Sequence, residues 1–209
     1  MEASLTKNGS ALIVVLFILT TAITIATPSH ALQFAKKGDV VTLSGSINSG
    51  DEHLFKDFMN DPAQANVKWI RLNSTGGKVL PARDMGRLIR SRQLSTIVDA
   101  RADNCASACT VLFGAGVKRY YLNAGAVTDG VYGFKEKPFG LGFHEGNNPS
   151  SLDGNKYSGQ ATADMIAAYY EFGMKNAKDI ITRAPPNKLY RVSSQTAMTL
   201  AIATHDAGP

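Results

Sequence analysis

Along the chain, short runs of clustered or alternating apolar residues give way repeatedly to stretches with apolar residues three and four apart. Residues 39–47 (DVVTLSGSI) are rich in β-branched side chains and close on Asn48-Ser49-Gly50, which predicts a strand. Acidic residues then open 51–59, where Leu54, Phe55, Phe58 and Met59 share a helical face. Residues 67–72 (VKWIRL) predict a second strand, ending at Asn73-Ser74-Thr75-Gly76-Gly77. A helix returns over 80–92, with Pro81 in its first turn and Ala82, Met85, Leu88 and Ile89 facing inward. Residues 96–100, 117–122 and 141–144 predict further strands, and 106–115 a helix that is apolar all round and therefore buried. The glycine- and proline-rich stretch 123–139 predicts a loop or lid. Helices follow over 161–172 and 176–183, the latter stopped by Pro185-Pro186, and a last one after Ser193, a plausible N-cap. Strands separated by helices of this length predict an α/β fold with a largely parallel sheet and right-handed crossovers.

The N-terminus is different. Residues 11–26 are an uncharged apolar run, shorter than the ~20 residues of a membrane span. Lys7 precedes the run, and Ser29-His30-Ala31 has the small-x-small form of a cleavage site. The expectation is a signal peptide over 1–31, or a retained anchor through 11–26, and one domain over 32–209. That implies export to the periplasm or beyond. Composition adds little: 44% apolar and 19% charged residues fit a packed globular chain, and the net charge of +5 is scattered. Two cysteines make neither a disulfide scaffold nor a zinc quartet, and no metal site is expected. Arg83, Arg87, Arg90 and Arg92 form a basic stripe on one helix, read as a solvated face or a subunit contact. Without interleaved aromatics and a larger charge excess it does not predict nucleic-acid binding.

In parallel sheets ligands bind at the carboxyl ends of strands, so the loops there carry the chemistry. Two are unusual. Gly76-Gly77 permits positive φ and leaves backbone N–H groups open to an oxyanion, although a plain tight turn reads the same way. Ser107, in Asp103-Asn104-Cys105-Ala106-Ser107-Ala108-Cys109, opens the buried helix among small neighbours, as either an N-cap or a nucleophile. A nucleophilic serine needs a base. Past the leader the histidines are His53, His144 and His205. His53 sits on a helix whose inward face is already filled, and His205 is near the C-terminus. His144 ends a strand, and by elimination it is the candidate base. Cys105 and Cys109 bracket the serine, either as a disulfide or as two buried thiols.

The order Asn73-Ser74-Thr75-Gly76-Gly77, Ala106-Ser107-Ala108, Gly142-Phe143-His144 resembles the Clp protease proteolytic subunit and its crotonase-fold relatives. It resembles most their exported branch with a Cys-x-Ser-Ala-Cys motif, over residues 40–205. The resemblance implies the ClpP/crotonase-like fold of ββα superhelical repeats. It implies a serine peptidase in which Ser107 attacks, His144 is the general base, and the Gly77 and Ala108 N–H groups form the oxyanion hole. No cofactor is implied, and the substrate would be a peptide or unfolded protein. Homo-oligomers occur in such relatives, whereas an ATP-driven unfoldase partner is not expected outside the cytoplasm. The chain also departs from the family. The place of the third, acidic triad member falls near Ala184, leaving Asp179, Asn187, a backbone carbonyl or nothing to orient the imidazole. An inactive scaffold or peptide-binding module therefore stands as the alternative. An enoyl-hydratase-like acyl-thioester enzyme is a weaker third reading, since no acidic pair serves it.

Overall fold

The computed structural model describes residues 32–136, 139–148 and 156–208, so the expected leader lies outside the described residues. The strands are β1 (Gln33–Lys37), β2 (Val40–Ile47), β3 (Trp69–Gly77), β4 (Ser95–Asp99), β5 (Asn104–Ala106), β6 (Arg119–Leu122), β7 (Gly130–Tyr132), β8 (Gly140–Phe143) and β9 (Leu189–Arg191). The helices are α1 (Asp51–Asn60), α2 (Val79–Ser91), α3 (Ala108–Ala115), α4 (Gly159–Glu171), α5 (Lys178–Ile181) and α6 (Ser194–Thr199). Among the described residues no helix is long and apolar enough to cross a membrane.

The sheet runs β1-β2-β3-β5-β8-β9-β7, with β4 and β6 branching from β3. The interior pairings β2–β3, β3–β4, β4–β6, β3–β5 and β5–β8 are parallel, while β1, β7 and β9 add antiparallel pairings at the margins. β3 forks: its first residues, 69–71, pair with β4, and Ser74 near its end pairs with Cys105 of β5.

Sequence pattern explains the packing. α3 buries every one of its eight residues, because nothing in ACTVLFGA except the Thr110 hydroxyl calls for water. Val111, Leu112 and Phe113, fully buried, contribute about 1.5–3 kcal/mol each to folding. α2 turns Ala82, Met85 and Ile89 to the core, and its arginines are spent inside the molecule. Arg83 and Arg87 both bind Glu171 at the end of α4, Arg90 donates to the Gly114 and Phe172 carbonyls, and Arg92 donates to Met59 and Asn60. The basic stripe thus bridges elements, while Arg87, 52% exposed, keeps part of the solvated face expected. Leu54 also departs from expectation, pointing outward at 59% exposure while Phe55 and Met59 fill the core. The predicted loop at 123–139 contains β7, which pairs with β9. The predicted helix start at 106 is instead the end of β5, a strand too short to show a period of its own.

Candidate active site

Ser107 stands between β5 and α3, at φ 54° and ψ −129°. This left-handed backbone is unfavourable for a non-glycine residue by about 1–3 kcal/mol, and it persists where the surroundings impose it. Several contacts impose it here. The Ser107 N–H donates to the Gly142 carbonyl of β8 at 2.9 Å. Its carbonyl accepts from the Thr110 N–H at 2.9 Å and from the Thr110 hydroxyl at 2.6 Å. That hydroxyl in turn lies 2.7 Å from the phenol of Tyr169 on α4. A disulfide joins Cys105 to Cys109 across the turn, their Cα atoms 5.2 Å apart.

The Ser107 side chain does not cap α3. The contrast with two other serines at helix starts is informative: Ser158 accepts from the Ala161 N–H and Ser193 from the Thr196 N–H, each at 3.2 Å. Ser107 instead opens into a cleft of about 670 Å³, within the range of ligand pockets. Its walls are the β2–α1 turn (46–49), the segment 77–81, residues 146–148 and the first turns of α4. Ile47, Val79, Leu80, Pro81 and Met165 make it largely apolar; Glu52, Lys78 and Asp164 bring charge.

Gly77 stands at the cleft, and glycine is required at the residue before it. Gly76 adopts φ 95°, and a Cβ there would lie 2.6 Å from the Ala106 carbonyl oxygen, 2.7 Å from the Ser107 Cβ and 2.9 Å from the Ala108 nitrogen. The end of β3 is therefore pressed directly against the serine turn. Gly77 lines the cleft together with Ser107. Ala108, wholly buried, begins α3 immediately behind the serine, where helix N–H groups have no partner within the helix.

His144 follows β8, next to β5, just beyond the Gly142 that receives the Ser107 N–H. It is 2% exposed and meets the edge of the Phe134 ring. Burial lowers its pKa from the ordinary histidine range, so the ring is neutral at pH 7. Nδ1 lies 2.6 Å from the Glu145 carbonyl. A carbonyl only accepts, so the neutral ring carries its proton on Nδ1 and its lone pair on Nε2. No hydrogen bond joins Ser107 to His144 among the described residues, and His144 does not line the cleft. Ala184 stays close to this turn, its carbonyl accepting the Glu145 N–H at 3.0 Å. Asp179 points elsewhere, exposed and paired with Lys178, and Asn187 is exposed. His53 is paired with Glu52 on α1, and His205 stacks on Tyr120.

Sequence reasoning missed Arg191, fully buried in β9 beneath the same strands, its guanidinium pulled down to about 10 by burial. Buried arginine is rare unless paired, and nothing in its local spelling signals it. Among the described residues no cluster of three metal-ligating side chains is present.

No family profile and no curated protein matches the chain. Among solved structures it is similar to the 1510-N membrane-bound stomatin-specific protease. A serine-to-alanine mutant of that protein matches at TM-score 0.54 and 15% identity, over 79% of this chain and 77% of that one. A lysine-to-alanine mutant in complex with a substrate peptide matches at TM-score 0.55 and 15% identity, over 79% and 73%. The fold is Clp-protease-like. In this Clp-like frame the parallel strands β3, β5 and β8 deliver the glycine pair, the serine turn and the histidine to neighbouring positions at one end of the sheet.

Proposed function

We propose that the chain is an exported serine peptidase, in which Ser107 attacks a peptide carbonyl bound in the cleft. The observation that carries this is the Ser107 turn: a left-handed serine between strand and helix, its hydroxyl unspent on capping and open to a pocket. The use of such a turn is to present a hydroxyl where a helix N-terminus favours developing negative charge. The His144 lone pair on Nε2 takes the serine proton and returns it to the leaving amine, and the Glu145 carbonyl holds the ring in that tautomer. The N–H groups of Gly77 and Ala108 receive the oxyanion. The apolar walls favour a peptide with a hydrophobic side chain beside the scissile bond. The substrate peptide bound to a similar structure supports a peptide ligand. The Cys105–Cys109 bridge supports export, since disulfides persist in oxidising compartments.

Covalent labelling by a fluorophosphonate probe tests the reading. The folded chain should label at one site, and Ser107→Ala should abolish it. A folded wild type that never labels counts against catalysis. One observation favours the second reading, a peptide-binding module: Ser107 and His144 are not hydrogen-bonded to one another here. That reading expects peptide binding in the cleft, without labelling or turnover.

A further inference from the structure

Arg191 is fully buried, yet among the described residues no carboxylate pairs with it, and its Nε has no partner. A buried charge without a counter-charge is costly, and hydrogen bonds must offset that cost. Here those bonds lead to two strands. Nη1 donates to the Gly140 carbonyl of β8 at 2.7 Å, and both Nη1 and Nη2 donate to the Asn104 side-chain oxygen of β5 at 3.0 Å. Asn104 extends the linkage, its N–H donating to the Asn73 side chain of β3 at 3.1 Å. Gly142 stands directly opposite Arg191 in the β8–β9 pairing, and a Cβ there would come within 2.8 Å of Nη1. A bare backbone at 142 lets the guanidinium lie across β8 and reach β5.

Backbone pairing in this region is thin. β3 meets β5 at one pair, Ser74 with Cys105, and β5 meets β8 at three. β8 (GLGF) is glycine-rich, and glycine-rich strands specify register weakly, so one residue of slip would carry Ser107 away from His144. We propose that Arg191 is a positioning residue that holds the strand bearing Ser107 in register with the strand bearing His144. Its link through Asn104 to Asn73 ties in the strand that ends at Gly77. The role rests on the peptidase reading for its purpose, though not for its test.

The test is Arg191→Met, a shorter apolar side chain that leaves the Gly140 and Asn104 acceptors without their donor, so the melting temperature should fall while the fold is kept. Amide hydrogen exchange, read by NMR at the Ser107 N–H that bonds to Gly142, should rise about tenfold, with β2–β3 amides unchanged. Fluorophosphonate labelling should slow by a similar factor, and Arg191→Lys should recover part of both. Unchanged exchange at Ser107 in folded Arg191→Met overturns the proposal. So does a uniform rise over all amides, which marks a general contribution to stability. If wild type never labels while Ser107 exchange responds locally, the clamp stands and the peptidase reading fails. Should Arg191→Met not fold, Asn73→Ala at an exposed position replaces it. It should raise Ser107 exchange about threefold, and no change there overturns the proposal.

Discussion

At the residue scale, the site depends on positions with little choice of side chain. Gly76 combines a left-handed backbone with a missing side chain that would collide with the Ala106 carbonyl, a backbone atom that cannot step aside. Gly76→Ala should therefore cost at least the ~1–3 kcal/mol of the φ penalty, lower the melting temperature and slow labelling of Ser107. A variant of wild-type stability and labelling rate would show that β3 is not pressed on the serine turn. In the proposed mechanism His144 sets the pH behaviour. Its pKa is lowered by burial, so the base form persists to more acidic pH than an ordinary histidine allows. The labelling rate should be level at neutral pH and fall on acidification with a midpoint below ~6.5. The same group links to stability. The unfolded chain takes up a proton near the ordinary value while the folded chain resists it, so stability should drop as pH falls below ~6.5. A pH–rate midpoint above that value would contradict the neutral, desolvated imidazole.

At the element scale, the unit of interest is strand, turn and helix over 104–115. The Cys105–Cys109 bridge closes a loop of a few residues, and short loops gain little from closure. Its loss should cost about 2 kcal/mol or less, so a Cys105→Ala/Cys109→Ala double variant should stay folded by circular dichroism. A loss of folding on removing it would make the bridge a global staple and not a local brace. This unit also shows what was legible in the spelling. The serine, its small neighbours, the glycine pair and the histidine at a strand end were readable, because each is a local signal of backbone freedom or reactive chemistry. The turn's conformation was not. It is imposed from outside, by Gly142 on β8, Thr110 on α3 and Gly76 on β3. β7 and β9 escaped notice because three-residue strands carry no period, and they exist through pairing with β8 and each other. The arginine stripe on α2 was visible as a pattern, yet its partner Glu171 lies more than eighty residues away.

For the whole molecule, the alternation of strands and helices was enough to give a parallel α/β sheet, and the order of motifs pointed to the Clp-like arrangement that the solved structures share. The fork at β3 could not be read, because it depends on where β4 and β5 find room beside a single strand. That fork has a mechanical consequence. Ser107 and His144 ride together on the leaf of β5 and β8, whereas Gly77 ends the strand shared with the other leaf. Flexing between the leaves would leave the hydroxyl-to-imidazole spacing alone and change the gap to the Gly77 amide. Of the two proposed charge-receiving amides, Ala108 thus travels with the hydroxyl and the imidazole, whereas Gly77 stands across the fork from them. The interlock of Gly76 with the serine turn is the stitch that keeps them in step.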